Sequence, residues 1–292
     1  MNIVGNLMLR NLRLFFRDRM GVFFSLLSAL ILFLLYTLFL GSTQIDDLQQ
    51  SFPGATRDDV KGFVDTWMFA GIVGITSITT GLGALNVFVE DSSSGRFRDF
   101  MVSPIRREQL ILGYLSSAGV VALIMTTVVL IISLAYLYLV DGISFSAGQI
   151  ATVYGFLALS CLAFAALSSF AVSFVRTAGA YSALSTIVGT ILGFLAGAYI
   201  PVGALPEGVR TVVSALPFMQ AALPIRQEMT ADSLQVLAAD QPAAATELEE
   251  IFGITASVGD WAVTNTYVVF ILAAMTVVFT LLAAVQIRRR IA

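Results

Sequence analysis

Apolar residues come in long runs along this chain, separated by short polar stretches that carry nearly all of its charge. Six runs reach about the 20 residues that an α-helix needs to cross a bilayer. They predict spans over residues 21–40, 67–89, 110–140, 150–175, 179–200 and 264–287. The third is long enough to tilt or to protrude. Ahead of them, in residues 1–19, Arg10, Arg13, Arg17 and Arg19 alternate with Leu9, Leu12, Leu14, Phe15 and Phe16 at helical spacing. That pattern predicts an amphipathic helix lying in the membrane interface, with no convincing cleavage site after it. The fold class expected is an all-α polytopic membrane protein, one transmembrane domain over residues 1–292.

Composition agrees: 58% of residues are hydrophobic and only 12% are charged, about half the charge of a soluble domain. The charges also sort by side. With six spans, twelve of the 16 cationic residues share the side of both termini and four fall opposite, while 14 of the 19 acids fall opposite. Positive residues stay in the cytoplasm, so both termini are expected there. Residues 41–66 and 201–263 are then extracellular, and 90–109 are cytoplasmic.

Several chemistries are excluded. The chain has no histidine, one cysteine (Cys161) and one lysine (Lys61). It therefore lacks histidine metal sites, histidine acid–base catalysis and an internal disulfide. Lys61 lies between Val60 and Gly62, so no GxxxxGK[ST] phosphate loop exists. The six predicted spans contain no Asp, Glu, Lys or Arg, so nothing in them resembles an ion-coupling site.

Within the fifth predicted span, Gly189, Gly193 and Gly197 recur every four residues. That spacing predicts a flat strip for close helix packing. After it, Pro201, Pro206, Pro217 and Pro224 cut the chain into apolar pieces too short to cross. These fit short re-entrant helices, or an ordinary surface loop. The cytoplasmic segment 90–109 breaks at Gly95, then places Phe97, Phe100 and Met101 within one turn, beside Arg96, Arg98 and Asp99. Such a surface either docks a partner or dips into the lipid interface. Glu90 and Asp91 have Arg10, Arg13 or a partner's arginine as candidate counter-ions.

The run E-D-x-x-x-G-x-x-x-x-F-x-x-S-P-I-R-R, followed by L-x-L-G, covers Glu90, Asp91, Gly95, Phe100, Ser103, Pro104, Arg106, Arg107, Leu110 and Gly113. It resembles the cytoplasmic segment of type-2 ABC exporter permeases, multidrug and daunorubicin-resistance types included. The N-terminal helix, the six spans and P-x-x-x-L-P (Pro201, Leu205, Pro206) are similar as well. Phe97–Arg98–Asp99 departs from the acidic–leucine pairing of many relatives. The resemblance implies a membrane permease without its own ATPase. It would pair with a second permease copy or a related one and with a cytosolic ABC ATPase, which would carry ATP and Mg. Arg96, Phe97, Arg98, Asp99, Phe100, Met101, Ser103 and Pro104 would form the helix seated in that ATPase. The substrate expected is hydrophobic or amphipathic: a drug, lipid or peptide. The rival reading is a nucleotide-independent channel or scaffold.

Overall fold

Asp18 separates the arginine-rich N-terminus from the first apolar run. Helix α1 (Ile3–Arg17) stops just before it. Its carboxylate then accepts the Gly21 N–H at 3.0 Å, capping α2 (Arg19–Ser25) in the usual way for an N-terminal donor without a partner. The computed structural model describes residues 3–102, 105–238, 242–259 and 261–291.

The apolar run continues through α3 (Leu27–Leu35) and a π-helical turn (Tyr36–Leu40), and the helical path runs on into the polar α4 (Gly41–Ser51). Much of the loop expected over 41–66 is thus helical. Ile45 and Leu48 lie one turn apart and are both buried, giving α4 a face to dock. Helix α5 (Arg57–Ala84) starts at a capping box between Thr56 and Asp59, well ahead of residue 67. Its first turns carry Lys61 and Asp65, ahead of the apolar window 67–89, which itself holds no ionisable group. Hydropathy locates the apolar window of a helix, whereas the cap fixes where the helix begins.

A turn leads to α6 (Asn86–Ser93) and the short α7 (Arg96–Met101). Long helices α8 (Arg107–Val140) and α9 (Ala147–Val172) follow, and then α10 (Ala178–Leu195). Beyond a 3-10 turn come α11 (Glu207–Ala215), α12 (Pro217–Ala238) and α13 (Pro242–Ile251). A two-residue hairpin, β1 (Ser257–Val258) with β2 (Trp261–Ala262), precedes α14 (Asn265–Ile291).

Six helical stretches among the described residues are long and apolar enough to span a membrane. The protein is an all-α polytopic membrane protein. The α11–α12 pair is bent by 84°. Pro224 was expected to break the chain there, yet it lies buried inside a 22-residue α12.

Helix α5 is the central post, against which α8, α9, α12, α3 and α4 pack. Of its span window 83% is buried, against 17% for α10. Lipid tails are as apolar as leucine, so close backbone approach holds such helices together. Glycines permit it: a Cβ on Gly81 would stand 3.3 Å from the Ala165 Cα, and one on Gly71 would stand 3.0 Å from the Ala198 Cβ. One apolar cluster surrounds Trp67, Phe63 and Phe252. A second gathers Leu7, Phe88, Leu110 and Tyr114 where α1 meets α6 and α8. The second cluster marks the basic end of the bundle, the first the acidic end.

Candidate functional site

At the basic end, α6 stops when Ser94 N–H bonds Glu90 O at 2.9 Å. Gly95 then takes a left-handed φ of 79°, a region that favours glycine. The turn folds α7 back over α6. Beneath it Asp91 is completely buried. A buried carboxylate is costly unless each lone pair finds a donor, and here each oxygen receives two. Oδ1 accepts from Arg10 Nη2 at 3.0 Å and Arg96 Nη1 at 2.9 Å. Oδ2 accepts from Arg10 Nη1 at 2.5 Å and the Tyr114 hydroxyl at 2.6 Å. One side chain therefore ties together α1, α6, α7 and α8. Its hydrogen bonds hold the Arg10 guanidinium above the ordinary arginine value, against the opposing effect of burial.

Of the candidate counter-ions, the structure brings Arg10 to Asp91; Arg96 adds a contact that the sequence reading did not foresee. Glu90 instead accepts from Asn86 Nδ2 at 2.7 Å. Arg13 lies on the exposed side of α1. Arg10 also bonds Asn11 Oδ1 at 3.0 Å, and α1 sits so close to α8 that a Cβ on Gly113 would fall 2.7 Å from the Leu7 Cβ.

The outward-facing aromatic pair expected on α7 needs correction. Phe97 and Phe100 are both partly buried and pack into the basic-end cluster. The Phe97 ring lies 5.2 Å from Phe88 and 6.1 Å from Tyr114. Phe100 lies beneath the Arg10 guanidinium, 5.5 Å from it. Arginine is attracted to the face of a ring, and the Gly95 turn makes that contact possible. What faces outward is Val102, 90% exposed, and the half-exposed Arg96 side chain. Ser103 and Pro104 lie outside the described residues, as do the side chains of Arg98, Asp99 and Met101.

At the other end the glycine strip divides. A Cβ on Gly189 would meet Ser28 Oγ at 3.3 Å, whereas one on Gly193 would strike the Tyr199 ring at 2.1 Å. Gly197 is not on the strip, because α10 stops at Leu195. It is the left-handed residue of the following turn, with φ 63°, the usual way to end a helix. Pro201 and Pro206 precede the 3-10 turn and α11, and Pro217 opens α12, a position where its missing N–H costs nothing.

Sequence reasoning missed two ionic features. Lys61 bonds Asp65 at 2.8 Å and also Asp141 at the end of α8, bridging two long helices. Arg226, assigned to an external loop, is fully buried. An arginine after the apolar run Ala221–Ile225 was the only signal of its position, and burial of a charge leaves no mark on hydropathy.

Among the described residues no group of three or more acidic or cysteine side chains could hold a metal. A family model described as ABC-2 type transporter matches residues 4–227, a stretch that includes Arg10, Asp91, Gly193 and Arg226. No curated protein matches the chain.

Proposed function

The chain belongs to the ABC-2 type transporter family and is the permease subunit of an ABC transporter, and from that premise we propose that it exports a hydrophobic or amphipathic substrate, driven by a separate ATPase chain that grips α7. The observation carrying this reading is the four-donor cage around Asp91. A push on α7 cannot be absorbed locally when its neighbour in the turn is bonded to α1 and α8. The three helices would shift together, and α8 and α5 would carry the displacement to the far end.

Other features support the arrangement. Twelve of the 16 cationic residues belong to the basic end or its flanks, which supports a cytoplasmic position for that end and both termini. Helix α1 keeps Leu9 and Phe16 exposed beside its arginines, as an interfacial helix would. The least covered span, α10, borders a groove of about 780 Å³ that it shares with α2 and α3. A second permease copy facing that groove would enclose a pathway between the two subunits. Its walls mix Phe24, Leu27 and Ile31 with Ser182, Thr186 and Thr190, suited to amphipathic cargo such as a drug, lipid or peptide.

The test is co-purification with a co-expressed candidate ABC ATPase, then ATP hydrolysis in vesicles across a panel of amphiphiles. Stimulation is expected with at least one of them. The exposed-site variant Val102→Asp should lose the ATPase while still inserting. Cargo movement by the chain alone, without nucleotide, would return the reading to a passive channel.

A further inference from the structure

A desolvated arginine ordinarily faces a carboxylate. Arg226 forms no ion pair among the described residues; it is fully buried on α12 and held by neutral groups. Its Nη2 donates to Ala196 O at 2.6 Å and to Gly197 O at 2.7 Å, and its Nη1 donates to Gly253 O at 3.2 Å. The guanidinium lies 5.6 Å from the Trp67 ring. The first two acceptors are carbonyls just past the end of α10, where the helix leaves backbone oxygens without partners and its dipole is negative.

The backbone is shaped around this cation. Gly197 and Gly253 adopt φ values of 63° and 61°, turning their carbonyls toward it. A Cβ at either would come within 3.4 Å and 3.3 Å of Arg226 Nη1, and would also strike Val202 at 2.4 Å or Met219 at 2.6 Å. Trp67 completes the joint by donating Nε1 to Phe252 O at 2.7 Å. One guanidinium thus joins α5, the end of α10, α12 and the turn after α13.

Such a joint is easier to part than an ion pair. Neutral carbonyls bind a cation less tightly than a carboxylate does, and a guanidinium regains its hydration once water reaches it. Arg226 Nε is buried without a hydrogen bond among the described residues, so the closed arrangement is short of full satisfaction. The groove along α10 ends at Tyr199 and Ile200, directly after two of the acceptor carbonyls.

We propose that Arg226 is a latch: a positioning residue that clips the α11–α12 pair onto the end of α10, closes the groove at the acidic end and lets go during transport. This deepens the export reading and rests on it only for the role of nucleotide.

The test uses the full chain with its ATPase in vesicles, in a Cys161→Ala background. Val202→Cys reports on the joint, because Val202 is 2% exposed and touches both glycine turns. Labelling by a membrane-impermeant maleimide is expected to be slow without nucleotide. Adding Arg226→Met should speed it about tenfold, and Arg226→Lys, which keeps the charge but not the fork, should fall between. Equal labelling in all three overturns the latch. If Arg226→Met does not fold, Arg226→Lys against the parent decides on the same criterion. A merely structural joint would ignore ATP; a latch predicts faster parent labelling during turnover. Nucleotide-insensitive labelling in a sample that hydrolyses ATP overturns the proposal. A sample that binds no ATPase retires the export reading, and the order of labelling among the variants still decides whether Arg226 holds the joint shut.

Discussion

Arg10 and Asp91 are separated by 81 residues of chain and by 2.5 Å in space. The Arg10 side chain keeps about a third of its surface exposed, whereas Asp91 keeps none. The pair therefore runs from the exposed rim into the packed interior. Tyr114 donates from the inner side and Arg96 from α7. Asp91 is the point to which the basic segments α1 and α7 are tied.

Asp91→Asn should show this most directly. The amide keeps the shape but leaves two guanidinium groups facing a neutral group that carries N–H donors of its own. A loss of about 1–3 kcal/mol is expected, read as earlier thermal unfolding of the purified chain. Substrate stimulation of ATP hydrolysis should fall more steeply than stability, because α7 is unpinned from α8. A variant with parental coupling would remove the cage from the transmission path.

Phe100 allows a graded comparison. Phe100→Leu keeps apolar volume but removes the ring beneath Arg10, a loss of about 0.5–1 kcal/mol. Phe100→Asp places a second carboxylate beside Arg10, in competition with Asp91. It should abolish stimulated hydrolysis while membrane insertion, followed by protease protection, stays intact.

Gly193 tests packing within one chain rather than between chains. A methyl there would lie 2.1 Å from the Tyr199 ring, and overpacking of this kind costs about 1–3 kcal/mol. Gly193→Ala should therefore destabilise the parent, yet cost little when Tyr199→Ala has already made room. A thermal double-mutant cycle measures the difference. Strictly additive losses would mean that the two residues do not meet.

Lys61 stands between Asp65 and Asp141. Removing its charge with Lys61→Met leaves two poorly solvated carboxylates close together, a like-charge arrangement that destabilises the fold. Adding Asp141→Asn should recover much of the loss. Unfolding temperatures of the single and double variants provide the check; a double variant less stable than Lys61→Met would contradict this account.

The six spans and the charge segregation were legible because each follows from long runs that one local rule reads. The Gly95 break and the short helix after it were legible for the same reason. What the rings of Phe97 and Phe100 touch was not, since it depends on Arg10 and Phe88, brought there by other helices. Arg226 escaped because hydropathy scores an arginine as exposed, while three carbonyls and an indole from three distant segments make its burial tolerable. Gly197 fell out of its strip because α10 stops two residues earlier, a boundary that a repeat of four cannot register.

The unequal lengths of neighbouring helices bear on the surrounding lipid. Helix α10 has 18 residues, about 27 Å at roughly 1.5 Å per residue, a little less than the ~30 Å of a typical hydrocarbon layer. Helix α8 has 34 residues, about 51 Å on the same scale. The molecule thus asks for a thin bilayer along one flank and tolerates a thick one along the other. Acyl chains against the face of α10 that no subunit covers must compress or shorten, so short-chain lipids should gather there.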